Sequence, residues 1–197
     1  MLKTPLVYFV RHGQTDWNAE GRLQGQTDTE LNDLGRRQAS RNGALLKQLV
    51  PDSAGFDFVA SPLKRTRETM ERLRAAMGLG PSRYRTDPRL MEVHYGGWEG
   101  STLAEIEERE PGSIGRRDRD KWNFLPPGDN AESYEMLFAR VKPWMDALKS
   151  PTICVTHGGI IRIVFVMVEG TPGSKAAALE IPQDRVLKLQ DGRLEWL

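Results

Sequence analysis

Leu6-Val7-Tyr8-Phe9-Val10, running into Arg11-His12-Gly13, decides the fold, because the same design returns far along the chain. There Thr152-Ile153-Cys154-Val155 runs into Thr156-His157-Gly158-Gly159. Short runs rich in valine, isoleucine and aromatic residues predict strands buried on both faces. Ligands of open α/β sheets bind beyond the carboxyl ends of such strands, so both histidines are expected at one crevice. The chain has three histidines, and the third, His94, lies in the glycine-rich stretch Glu92-Val93-His94-Tyr95-Gly96-Gly97-Trp98-Glu99-Gly100.

Outward from these strands, the spacing of Leu34, Ala39, Leu45, Leu46 and Leu49 predicts a helix from Asn32 to Val50, stopped by Pro51. Phe56 to Ala60 reads as another buried strand, with Ser61 as N-cap and Pro62 as first residue of a helix reaching about Met77. Residues 80–100 are turn-rich, and Thr102 to Arg109 is a short helix. Pro111 to Asn130, polar and proline-containing, reads as an excursion over the mouth of the site. Trp122 and Phe124 can line an apolar substrate pocket or pack the excursion down. The lid-like part as a whole spans about 94–130.

Helices are expected from about Glu132 to Leu148 and from Gly159 to Val168, and a hairpin from Val186 to Leu197 turning at Asp191-Gly192. Strands alternating with helices give an α/β fold, a three-layer α/β/α sandwich with a mainly parallel central sheet. At 197 residues the chain makes one domain and buries roughly 70% of the surface its unfolded form exposes.

With 28 Lys and Arg against 27 Asp and Glu, the formal charge of +1 gives no general pull toward nucleic acid or anionic membrane. Any anion must be held by local charge. Cys154 has no second cysteine to pair with and is expected to be a small core residue. Met1 to Pro5 leads into the first strand without a signal-like apolar region, and no apolar run approaches the ~20 residues that span a bilayer. A cytoplasmic location is the expectation.

An arginine beside a histidine at a strand end suits attack on phosphorus. The guanidinium offers paired donors to phosphate oxygens, and its charge opposes protonation of His12, keeping the imidazole nucleophilic. Arg65, about one turn into a helix that leaves another strand end, supplies a second clamp. His157, flanked by Gly158 and Gly159, can donate to a phosphoryl oxygen where the glycines allow close backbone approach. The departing alcohol needs a proton, for which Glu92 is the candidate acid.

Together these pieces resemble the histidine phosphatase superfamily, which includes the cofactor-dependent phosphoglycerate mutases. The match runs through Arg11-His12-Gly13-Gln14-Thr15-Asp16-Trp17-Asn18, Gly25 to Asp28, Leu31 to Ala39, Ser61-Pro62-Leu63-Lys64-Arg65-Thr66, Glu92 to Gly100 and Thr156 to Gly159. The resemblance implies a phosphoglycerate mutase-like sandwich. It also implies that His12 is phosphorylated, that Arg11, Arg65 and His157 hold the phosphoryl group, and that Glu92 is proton donor and later base for water. Asn18, Gln24, Tyr95 and the backbone amide of Gly158 fall at substrate-side positions. No metal and no cofactor are implied.

Gly97-Trp98-Glu99-Gly100, the short chain and the stretch Pro126 to Ser133 resemble the phosphatase branch, although residues between Gly128 and Glu132 depart from its pattern. His94-Tyr95-Gly96 after Glu92 resembles the mutases. The pair Arg116-Arg117 would receive a substrate carboxylate in that case, or else is a solvated charge cluster. The expected activity is hydrolysis of a small phosphomonoester through a phosphohistidine, with a mutase and a non-catalytic phospho-ligand scaffold as alternatives. A small molecule is the expected partner, without nucleic acid or membrane, in a monomer or homodimer.

Overall fold

The computed structural model describes residues 5–197, so the expectation for Met1 to Thr4 lies outside the described residues. Along the chain come β1 (Val7–Arg11), α1 (Asp16–Ala19), α2 (Asp33–Leu49), β2 (Asp57–Ala60), α3 (Lys64–Ala76), β3 (Arg85–Thr86), α4 (Leu103–Arg109) and α5 (Ser113–Arg119). After these come α6 (Tyr134–Asp146), β4 (Thr152–Thr156), α7 (Gly158–Glu169), α8 (Gly173–Ala176), β5 (Val186–Gln190) and β6 (Arg193–Trp196).

Because side chains alternate along a strand, each apolar run feeds two cores. Val7, Phe9, Val59 and Cys154 join Leu137, Val141 and Trp144 of α6 and Ile160, Ile163 and Val164 of α7 on one face. Tyr8, Val10, Phe58, Ile153 and Val155 meet Leu46 of α2 and Met70 and Leu73 of α3 on the other. This is the expected α/β/α sandwich. The Cys154 thiol is fully buried, and burial pushes its pKa up, so the residue acts as core.

The sheet order is β3-β2-β4-β1-β5-β6. Its first four strands are parallel, β5 runs antiparallel to β1, and β6 antiparallel to β5. β1 and β4 are therefore neighbours although more than a hundred residues separate them in sequence. Their register pairs Arg11 with Thr156, and the His12 amide continues the ladder to the Thr156 carbonyl at 2.9 Å.

Several boundaries differ from expectation. β1 runs one residue beyond Val10, and α6 begins at Tyr134 because Ser133, rather than an earlier residue, caps it by accepting from the Met136 amide at 3.2 Å. Ser61 does not cap α3. That helix starts at Lys64 with Leu63 at the N-cap and no side-chain cap, so Arg65 is its second residue rather than a turn in. The short edge strand β3, the single-turn α1 and α8, and α5 were not expected. α5 lies inside the 94–130 excursion and follows Gly112, whose φ of 80° supplies the turn. Trp122 packs on Tyr134 and Phe138, and Phe124 stacks on Trp98, so both aromatics hold the excursion down.

Candidate active site

Beyond the carboxyl ends of β1 and β4 the ladder carries His12 and His157 side by side, their ring centroids 5.2 Å apart. Both are almost wholly buried, at 2% and 0% exposure. His12 Nδ1 lies 2.8 Å from the Gly13 carbonyl. A carbonyl only accepts, so the neutral ring carries its proton on Nδ1 and its lone pair on Nε2. Burial, then the charges of Arg65 and Arg11, hold the His12 pKa well below its ordinary value. The imidazole is thus neutral near pH 7, as a nucleophile must be.

β2 ends one strand further out, where the Ser61 amide donates to the Val155 carbonyl at 3.0 Å. From there Ser61 Oγ reaches His157 Nε2 at 2.8 Å. With the hydroxyl donating to Nε2, His157 Nδ1 becomes a donor, and this buried nitrogen has no hydrogen-bond partner. Burial, followed by Arg65, His12 and Arg11, pushes the His157 pKa well down.

Arg65 is fully buried, its two terminal nitrogens tied to the Thr27 and Gly25 carbonyls at 2.8 and 2.6 Å. Its Nε is left without a partner, and burial pushes its pKa down to about 10. Arg11 repeats the pattern: Nη1 donates to the Ile181 carbonyl at 2.6 Å and Nε is buried without a partner. Buried donors left unpaired cost roughly 1–3 kcal/mol each, more when charged. A guanidinium N–H of Arg11, one of Arg65 and His157 Nδ1 together make a set that an anion would satisfy.

Glu92 lies across this cluster, at the foot of α7. The Gly159 amide donates to Oε1 and Oε2 at 3.0 and 3.1 Å, and a Cβ at Gly159 would overlap Oε1. Its backbone is held by Arg140 of α6, which donates to the Met91 and Glu92 carbonyls at 3.0 and 3.1 Å and pairs with Glu132 at 2.7 Å.

The substrate-side residues divide. Gly158 opens α7 between guanidiniums: a Cβ there would sit 3.5 Å from Arg162 Nη1 and 3.6 Å from Arg11 Nε. Asn18 forms a capping box with Thr15, and its Oδ1 also accepts from Gln183 Nε2 at 3.0 Å. Gln24 Oε1 accepts from Thr29 at 2.6 Å. Tyr95 packs against the α6/α7 core, with its hydroxyl pKa pushed well up by burial and then by Tyr134 and Glu92. α5 splits the arginine pair: Arg116 is exposed, whereas the Arg117 side chain is 12% exposed and turned inward. Sequence reasoning missed Ser61 as a partner of His157, and Gln183, which donates to the His12 carbonyl at 3.1 Å. Neither has a local signal, since the partners of both are distant in the chain.

A family model described as the histidine phosphatase superfamily, branch 1, matches residues 7–196. The chain belongs to that superfamily. It is 36% identical over 187 residues to the glucosyl-3-phosphoglycerate phosphatase of Mycobacterium tuberculosis, covering 88% of this chain and 79% of that one. To a probable phosphoglycerate mutase GpmB of Erwinia tasmaniensis it is 30% identical, covering 97% and 87%. The solved structure of a mycobacterial glucosyl-3-phosphoglycerate phosphatase in complex with VO3 superposes with a TM-score of 0.79 at 30% identity, covering 98% of this chain and 96% of that one. Among the described residues no helix is long and apolar enough to cross a membrane.

Proposed function

We propose that the protein hydrolyses a small phosphomonoester through a phosphohistidine on His12, without a metal. The observation that carries this reading is the gathering of three unpartnered buried nitrogens, Arg11 Nε, Arg65 Nε and, in the tautomer that accepts from Ser61, the donor His157 Nδ1, near a histidine whose Nε2 lone pair is free. Positive charge that a metal would otherwise supply comes from the two guanidiniums. Opposite unit charges ~4 Å apart attract by about 4 kcal/mol at an effective dielectric near 20.

His12 Nε2 attacks phosphorus, the P–O bond to the alcohol breaks, and Glu92 delivers a proton to the departing oxygen. Water then attacks the phosphohistidine, Glu92 takes its proton, the N–P bond breaks, and phosphate leaves with His12 restored. Ser61 supports this by holding His157 with Nδ1 as donor. A cytoplasmic setting goes with the reading, as does a small-molecule partner.

Turnover of a panel of phosphomonoesters in chelator, beside His12→Ala, tests the proposal. Phosphate release should fall by at least about 10⁴-fold in the variant, with no acid-labile phosphoenzyme. Appreciable residual release would sink the covalent route, and interconversion of phosphoglycerates without release would make the protein a mutase.

A further inference from the structure

Between α8 and β5 the segment 179–183 borders the pocket, and the phosphotransfer chemistry leaves it without a task. Three of its carbonyls, on alternate residues, accept from side chains of other elements. Arg162 Nε donates to Leu179 at 2.8 Å, Arg11 Nη1 to Ile181 at 2.6 Å, and Asn42 Nδ2 of α2 to Gln183 at 3.1 Å. Asn42 is 1% exposed, so the Gln183 backbone is tied to the protein interior. From this anchor the Gln183 side chain reaches back to the nucleophile. Its Nε2 donates to the His12 carbonyl at 3.1 Å and to Asn18 Oδ1 at 3.0 Å.

The direction of each hydrogen bond here is set by the two backbone groups at its ends. The His12 carbonyl can only accept, so the Gln183 atom that faces it is the amide nitrogen. That same nitrogen faces Asn18, which must therefore turn its oxygen toward it. From the other side the Thr15 backbone N–H, which can only donate, meets the same Oδ1 at 3.2 Å. Both ends agree on one orientation of the Asn18 amide, and its Nδ2 has no hydrogen-bond partner among the described residues. Without Gln183, Oδ1 would keep only its two Thr15 contacts, each at 3.2 Å and so at the long end of the hydrogen-bonding range.

We propose that Gln183 is a positioning residue for phosphoryl transfer: it pins the backbone of His12 and holds the Asn18 amide with Oδ1 turned away, so that Nδ2 is offered as a donor to the phosphoryl group on His12. The inference rests on the phosphohistidine reading of the pocket. Gln183 itself touches no reacting atom. An amide is required at this position because one nitrogen with two hydrogens serves two acceptors, and a carboxylate of the same size has no hydrogen to give.

Calorimetry with inorganic phosphate tests this in four proteins: wild type, Gln183→Met, Asn18→Ala and the double variant. Affinity should fall about tenfold in each single variant, and the double variant should bind no more than about threefold more weakly than Asn18→Ala. A purely structural role for Gln183 would cost the same in both backgrounds, and urea midpoints of the four proteins score that cost separately. The side-chain amide resonance of Asn18, identified by its absence in Asn18→Ala, gives a second readout. It should shift when phosphate is added to the wild type and stay in place in Gln183→Met. Gln183→Glu, equal in size, covers the case in which the methionine variant does not fold, and its carboxylate should draw the Asn18 N–H away from the pocket with the same loss of response.

An equal loss from Gln183→Met in both backgrounds, no loss in either, or the same resonance shift with and without Gln183 overturns the positioning role. Phosphate release from a phosphomonoester by the wild-type protein is scored separately. Coupling between Gln183 and Asn18 without His12-dependent release sinks the hydrolytic reading and leaves the positioning role standing, and release without coupling does the reverse.

Discussion

The phosphoryl pocket and the 94–130 excursion lie against each other, yet they are built by different means. In the pocket, Arg11, His12 and His157 are continuations of a parallel ladder, so the register that pairs Arg11 with Thr156 also aims the two imidazoles. In the excursion no strand of the sheet lies among the described residues, and side chains are placed by packing within it, Phe124 on Trp98, and by contacts outside it, Trp122 on Tyr134 and Glu99 on residues 26 and 27. The two are coupled through Glu99. Its carboxylate accepts from the Gln26 and Thr27 amides at 2.9 Å each and from the Tyr95 amide at 3.1 Å, which shapes the loop whose Gly25 and Thr27 carbonyls orient Arg65. The geometry at the strand ends therefore depends on an irregular segment for the placing of Arg65.

The largest expected effect comes from disturbing the pocket side alone. In Gly159→Ala the new methyl must displace the Glu92 carboxylate, while α7 itself tolerates alanine well. Release of poor leaving alcohols should fall by about 10²–10³-fold, with good leaving groups less affected, as read by paired kcat measurements. Losses equal on both kinds of substrate would show that Glu92 is not the acid. A smaller effect is expected from the excursion side. Glu99→Gln keeps the shape but weakens the charged acceptor of the 25–27 loop, so kcat/KM should drop about tenfold and unfolding free energy by about 1–3 kcal/mol. A stability loss with unchanged kcat/KM would break the proposed coupling between Glu99 and Arg65.

The same contrast explains what could be read in advance. Buried strands, the residues that follow them and the parallel sandwich follow from local patterns, since a strand end is marked by where its apolar run stops. Ser61 looked like a helix cap because Ser-Pro is a common helix start. Its hydroxyl instead bonds His157, 96 residues away, and no local pattern reports that. The pair Arg116-Arg117 carries no phase by itself. Only once α5 forms behind Gly112 does one guanidinium turn inward and the other outward. Asn18, read as a substrate-side amide, spends its Oδ1 on Thr15 and Gln183, because a capping box one turn from β1 competes for that oxygen.

The smallest effect separates the pocket's chemistry from its contribution to folding. His12 and His157 are buried with pKa values held well below the ordinary 6.5, mainly by burial and then by arginine. In the window below about pH 6.5 and above those depressed values, the unfolded chain binds protons that the folded protein refuses. Stability must therefore fall as pH falls through that window, by up to about 1.4 kcal/mol per pH unit for each histidine. Urea midpoints between pH 7.5 and 5.5 should show this slope, and His12→Asn should flatten it by up to about half while also removing activity. An unchanged slope in His12→Asn would mean that the imidazole titrates alike in the folded and the unfolded protein. Burial and the two arginines would then not be what keeps the nucleophile neutral.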